Sequence, residues 1–261
     1  MTALVVIAGL CLGSFLNVVI HRLPKGRSVV HPGSRCPQCR HAIAFYDNIP
    51  VLSWVLLGGR CRSCKARISG RYPLVEVLTA ALTWGLWVRG GGGLWAALTV
   101  LAAGALIAAA FIDWDTFLIP DEISLGLLAA GLLVSPVNPF FARALGEGAW
   151  YGRMLHSLIG AATGFGICWV TAEVGERLFK REALGGGDFK LLAGIGAWTG
   201  ALGAFDCMMV GAFAGSVYGI SRMAAGTLKR YEPMPFGPFL SAAAVFNFFV
   251  LLPFGFPFAP I

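Results

Sequence analysis

Residues 94–112 read LWAALTVLAAGALIAAAFI, nineteen positions without a charge, and the chain then turns polar at Asp113-Trp114-Asp115-Thr116. At about 1.5 Å per helical residue, such a run comes close to the roughly 30 Å of hydrocarbon in a bilayer. Working outward, comparable apolar stretches recur near 2–20, 73–88, 123–137, 156–174, 189–206, 208–222 and 237–252. The pattern predicts an all-α polytopic membrane protein with about eight transmembrane helices. Composition agrees: 57% of the 261 residues are hydrophobic and only 13% are charged, against about 25% charged in soluble domains. The polar stretches are too short for a large soluble domain. The one sizeable exception, residues 21–72, lies between the first two spans.

Charge placement sets the expected orientation. Between Arg22 and Arg71 there are ten basic residues and a single acid, Asp47. With that segment in the cytoplasm, alternation leaves seventeen Lys and Arg inside and only Arg89, Arg143 and Arg153 outside. This is the positive-inside asymmetry, and it directs both termini away from the cytoplasm. The net charge of +7 therefore reads as topological retention with contact to anionic membrane lipid, and no nucleic-acid role is expected. Leu4 to Ile20 has neither a basic start nor a small-residue cleavage site before Arg22, so it is expected to remain as a span in which Ser14 and Asn17 serve helix packing.

The seven cysteines fall into two groups. Cys11, Cys168 and Cys207 occur singly within apolar spans, as small buried hydrophobes do. Cys36-Pro-Gln-Cys39 and Cys61-Arg-Ser-Cys64 are separated by 21 residues, a spacing that suits a four-thiolate structural zinc site on the reducing side of the membrane. A redox pair is the competing reading. Two knuckles favour a closed metal site, and a short basic segment needs the folding energy that a metal supplies. His21, His31 and His41 are expected to be solvated or phosphate-facing rather than ligands.

The expected topology brings the end of the third span, with Asp113, and the start of the sixth, at Gly185-Gly186-Gly187-Asp188, to the cytoplasmic boundary. Paired carboxylates resist double ionisation, so one can activate water as a base while the other, still protonated, donates to a scissile carbonyl. That is aspartic-protease chemistry. The glycines lack β-carbons and would admit an extended peptide close to the backbone. A phosphate-cradling loop is disfavoured because the run continues Asp-Phe-Lys. Two acids that merely cap helices are the bland alternative. Asp121, following Pro120, is suited to an N-cap or first-turn role. Asp113 and Asp115, two positions apart, point to different helix faces, and Asp113 lies nearer the apolar span.

The ordered set of motifs resembles the type IV prepilin leader peptidases, membrane enzymes that also act as N-methyltransferases. It comprises Gly13-Ser14-Phe15-Leu16-Asn17-Val18-Val19-Ile20 with Arg22-Leu23-Pro24, the two CxxC pairs, Ile49-Pro50-Val51-Leu52-Ser53-Trp54 and Gly59-Arg60-Cys61. It continues with Ile68-Ser69, Arg71-Tyr72-Pro73-Leu74-Val75-Glu76, Ile112-Asp113, Ile119-Pro120-Asp121, Gly185-Gly186-Gly187-Asp188 and Pro235-Phe236-Gly237-Pro238. Leu184 and Gly186 are a permissive variant of the usual glycine-motif flanks. The resemblance implies a catalytic pair at Asp113 and Asp188. It also implies cleavage of a short basic leader from prepilins and pseudopilins at the cytoplasmic face of the bacterial inner membrane, in pilus or type II secretion systems. S-adenosylmethionine-dependent methylation of the new amino terminus would follow. Members with the full cysteine-bearing segment are the methylating kind.

Residues 21–72 are too few for a doubly wound nucleotide-binding domain, and spacing alone does not locate the methyl donor. By resemblance, Asp47, Asn48, Arg71, Tyr72 and Glu76 are the polar residues to consider. Asp47-Asn48 also reads as a turn, Arg71 and Tyr72 as an interfacial anchor, and Glu76 as either a methyl-transfer group or a packed polar contact. The expected organisation is a first transmembrane helix at 1–20, a zinc-binding segment at 21–72 and a peptidase region at 73–261. An ion-coupled transporter or zinc-stapled scaffold is the alternative, but transporters place their acids near mid-span.

Overall fold

The computed structural model describes residues 2–141, 150–180, 184–229 and 232–249. Arg143 and positions 250–252 of the expected last span lie outside them. All regular structure among the described residues is helical apart from two isolated bridges, and the chain forms two compact units, Met1–Gly104 and Ala105–Ile261.

In the first unit, α1 (Thr2–Arg22) packs along α3 (Arg71–Arg89), and the intervening segment carries 3-10 turns at Leu23–Lys25 and Phe45–Asn48 and the short α2 (Leu52–Leu56). A β-carbon at Gly9 would lie 2.7 Å from the Ala80 Cα, and one at Gly13 only 2.6 Å from the Glu76 Cα. These glycines, four positions apart, let the two backbones touch as small residues do in membrane helix pairs. Cys11 is exposed, contrary to the expected burial, because the glycine face rather than its own meets α3. Cys168 and Cys207 are buried as expected. Asn17 Nδ2 donates to the Tyr72 carbonyl at 3.1 Å, so the polar residues of α1 do serve helix packing.

Helix α4 (Gly93–Thr116) carries the chain into the second unit. There, α5 (Asp121–Val134), α6 (Trp150–Phe179) and α8 (Gly237–Phe249) all pack on α7 (Gly186–Ala224). The expected spans 189–206 and 208–222 are parts of this single 39-residue run, and its break falls at Gly200 (φ 77°, ψ −179°), earlier than the expected junction near Cys207. Only glycine adopts such a backbone cheaply. The carbonyls freed at the break find side-chain donors: Ser157 Oγ donates to Ala197 O at 2.7 Å, and Asn138 Nδ2 to Trp198 O at 3.1 Å. Such compensation is what a broken helix in a membrane requires.

Among the described residues, four helices are long and apolar enough to cross a membrane: α1 with its following turn, α4, α6 and α7. The expected spans at 73–88, 123–137 and 237–252 coincide with the shorter or more polar α3, α5 and α8.

Glycines also govern the α6–α7 crossing. A β-carbon at Gly160 would lie 2.7 Å from the Gly200 Cα, whereas one at Gly166 meets nothing within 4 Å. Gly160→Ala should therefore destabilise the detergent-purified protein by about 1–3 kcal/mol through overpacking. Gly166→Ala should be neutral or mildly stabilising, because alanine is the better helix former by about 1 kcal/mol. Thermal melting of the two variants against the parent checks the contrast.

Candidate functional site

The second unit gathers two acids at helix ends. Asp113 lies in the last turn of α4 and Asp188 in the first turn of α7, and they are 5% and 7% exposed, whereas Asp115 is exposed. The alternation of faces expected for Asp113 and Asp115 thus decides which acid is sheltered. The Gly237 N–H at the start of α8 donates to Asp113 Oδ2 at 2.9 Å. A β-carbon on Gly237 would come within 2.8 Å of that same oxygen and 3.0 Å of Ile119 Cδ1. Ile119 also faces Gly187, whose β-carbon would lie 3.0 Å from Ile119 Cβ. One buried isoleucine therefore wedges between the glycine preceding Asp188 and the glycine that binds Asp113.

The glycine run is not uniform. Gly187 is taken up by packing on Ile119, Gly186 has open space around it, and Gly185 has only Asp188 Oδ2 near, 3.6 Å from an added β-carbon. Gly185 O also accepts the Asp188 N–H at 3.1 Å, which starts α7. Open approach to the backbone is therefore confined to Gly185 and Gly186. Asp121 is the first residue of α5 behind Pro120, which itself occupies the N-cap. Its carboxylate pairs with Lys190 Nζ at 2.7 and 2.8 Å, an exposed contact that braces the first turns of α5 and α7.

In the first unit the four cysteines converge. The Sγ atoms of Cys36, Cys39, Cys61 and Cys64 all lie within 4.8 Å of one another, with Cys36 to Cys64 at 3.8 Å. A tetrahedral zinc with bonds of about 2.3 Å has S···S edges of about 3.8 Å, so the donor set fits that ion. The two CxxC turns are copies of one another, offset by 25 residues. Arg40 N donates to Cys36 O and Lys65 N to Cys61 O, while Cys36 N donates to His41 O and Cys61 N to Ala66 O. Arg40 and Lys65 share a left-handed backbone, at φ 57° and 59°. The Cys36 thiol is lowered to about 7, chiefly by the Cys39 backbone amide. His21, His31 and His41 are exposed and lie outside the cluster.

Beside the cysteines lies a cavity of about 480 Å³ whose lining includes Asp47, Asn48, Tyr72 and Glu76, with Tyr46 and Trp54. Arg71 does not line it. Arg62, between the cysteines of the second knuckle, grips Asp47 through Nε at 2.7 Å and Nη2 at 2.6 Å and lies over the Tyr46 ring, 5.6 Å from its centroid. That guanidinium holds the Asp47 carboxyl below its ordinary range. Sequence reasoning had not singled out Arg62, Ile119 or Lys190. The Ile-Pro-Asp and Cys-Arg-Ser-Cys motifs contain the first two, but their partners are distant in the chain.

Comparison with known proteins identifies the family. Residues 7–89 match the model of the bacterial peptidase A24 N-terminal domain, and residues 100–220 that of the type IV leader peptidase family. The prepilin leader peptidase/N-methyltransferase of Aeromonas salmonicida is 37% identical over 268 residues, covering 92% of this chain and 88% of the relative. Its counterpart in Burkholderia pseudomallei is 36% identical over 278 residues, covering 97% and 86%. That of Pseudomonas aeruginosa is 34% identical over 261 residues, covering 91% and 86%. No solved structure matches. With both of its parts matched in order and relatives aligned over more than nine-tenths of its length, this multi-pass membrane chain belongs to the type IV leader peptidase family.

Proposed function

We propose that this chain removes the leader peptide of type IV prepilins and pseudopilins and then N-methylates the exposed amino terminus, acting at the cytoplasmic face of the bacterial inner membrane. The observation that carries the peptidase reading is the buried pair Asp113 and Asp188 at two helix ends, with glycine-bare backbone at Gly185 and Gly186. An intramembrane ionisable group is costly unless it has a function. One carboxyl takes a proton from water as the water attacks the scissile carbonyl, and the other gives a proton to that oxygen. The Gly237 N–H fixes Asp113 Oδ2, leaving Oδ1 as the oxygen to face the reacting groups. Helix-end placement favours this chemistry over ion transport, whose acids belong near mid-span.

The methyltransferase role is assigned to the first unit. Its cavity falls within the roughly 300–1,000 Å³ of small-molecule sites. Aromatic faces at Tyr46, Trp54 and Tyr72 suit a cationic ligand such as S-adenosylmethionine. When bound, that cofactor supplies the methyl group. Asp47, Asn48, Tyr72 and Glu76 provide the polar wall, and zinc held by Cys36, Cys39, Cys61 and Cys64 would staple the segment. The first unit, with the span at 1–20, the zinc-binding segment at 21–72 and α3, is assigned to methylation and the acid pair of the second unit to cleavage, within an eight-span topology that puts segment and acids on the cytoplasmic side.

Asp113→Asn and Asp188→Asn should each reduce prepilin cleavage by at least about 10²-fold, the low end of general acid–base contributions. Asp121→Asn, which removes only a surface ion pair worth about 0–1 kcal/mol, should retain most activity. Activity that survives in Asp113→Asn but is lost in Asp115→Asn would move the pair. Gly237→Ala should also impair cleavage, because its methyl group would crowd Asp113 Oδ2. Peptide cleavage assays on folded, membrane-extracted variants read all five.

Metal analysis of unchelated protein should find one zinc per chain. Cys→Ser at any of the four positions should depress zinc content, stability and methylation more than cleavage. Zinc retention should weaken on acidification, because protons compete with the metal for the four thiolates. Asp188→Asn protein should still methylate a supplied, pre-cleaved pilin-like peptide while leaving intact prepilin unmodified.

A further inference from the structure

We propose that Glu76 is a positioning residue that clamps Val51 in a strained γ-turn and so shapes the wall of the first-unit cavity. This rests on the assignment of that cavity to the methyl donor. Val51 has φ 60° and ψ −51°, a strained γ-turn geometry closed by Leu52 N donating to Pro50 O at 2.6 Å, which a β-branched residue adopts at a steric cost. Such a backbone persists only where its surroundings over-determine it. Glu76 Oε2 accepts the Val51 N–H at 2.7 Å from a position 25 residues later in the chain. On the other side of the strained residue, Ser53 N donates to Ile49 O at 3.1 Å and Val55 N to Val51 O at 3.0 Å, which starts α2 directly after it.

Glu76 is itself immobilised. It is 7% exposed, and its Cα touches Gly13 where no β-carbon fits. Glu76 thus joins α1 through its backbone, α3 through its place in that helix, and the loop before α2 through its carboxylate. Two walls of the cavity depend on that junction. Ser53 Oγ donates to Tyr46 O at 3.1 Å, tying the Phe45–Asn48 turn to α2, and Trp54 Nε1 donates to Ile68 O at 3.2 Å, tying α2 to the second knuckle. Without the bond from Glu76, Val51 relaxes to an ordinary backbone and α2 turns away, taking Tyr46 and Trp54 with it. The partner of the carboxylate is the chain's own Val51 N–H, so its part in methylation is to hold rather than to exchange protons with substrate.

The test uses full-length protein in detergent, with three readouts: hydrogen exchange at the Val51 amide, calorimetric affinity for S-adenosylmethionine, and zinc content as the check that the segment is folded. Glu76→Gln keeps an oxygen acceptor, so Val51 protection and donor affinity should both be retained. Glu76→Ala should lose the protection and weaken donor binding about tenfold or more, about 1.4 kcal/mol at the least. Val51→Gly in the Glu76→Ala background should recover part of that affinity, because glycine adopts the positive-φ backbone without strain. The proposal is overturned if Glu76→Gln loses donor affinity as completely as Glu76→Ala while Val51 stays protected, since the charge rather than the clamp would then matter. It is equally overturned if Val51 remains protected in Glu76→Ala. Wild-type protein that binds no donor would instead refute the assignment of the cavity, and the Val51 protection series would still decide whether the clamp exists.

Discussion

The hydrogen bond from Gly237 N–H to Asp113 Oδ2 joins residues 124 positions apart, and the geometry of the acid pair depends on it. A carboxyl buried at the end of an apolar helix must have a partner, or it neutralises or pulls the helix end toward water. Here the partner is a backbone amide at the first turn of α8, and it can approach only because glycine carries no side chain. Ile119 then fills the space between that glycine and Gly187. Three helix ends are thereby set against one another before Asp188 is placed, so each glycine near the acids is either a contact surface or an opening.

The first unit solves a different problem. A basic segment of about 50 residues has little apolar surface to bury, and below such lengths metals or disulfides commonly supply the missing stability. Two copies of one turn, 25 residues apart, present four sulfurs at a spacing suited to a tetrahedral ion. Arg62 extends from the second copy to Asp47, so the metal-binding element also braces the cavity wall. The two proposed chemistries thus occupy separate compact units of the chain, each with its own source of rigidity: glycine-mediated helix contact in one, and a sulfur cluster with an ion pair in the other.

Much of this was legible from local pattern. Apolar run length predicted the helices, the CxxC spacing predicted the cysteine convergence, and the two-residue offset of Asp113 and Asp115 anticipated that only one would be sheltered. What escaped were features set by partners remote in sequence. The break in α7 falls at Gly200 because Ser157 and Asn138 supply donors there, and hydropathy has no record of them. Cys11 looked like a core residue because its neighbours are apolar, but the small-residue face of α1 turned it outward. The glycines before Asp188 looked equivalent, yet Gly187 differs from Gly185 and Gly186 because Ile119 lies against it. Glu76 could be read as catalytic or packed, and its bond to the Val51 N–H, 25 positions away, is a contact that no local pattern records.

Photo-crosslinking of labelled S-adenosylmethionine to the intact protein, with the modified peptides located by mass spectrometry, decides whether the two units divide the labour. Label is expected on peptides from residues 34–76, where Tyr46, Trp54 and Tyr72 line the cavity. Label concentrated instead on peptides containing Asp113, Asp188 or Gly237 would place methyl transfer at the acid pair and contradict the assignment of two separate sites.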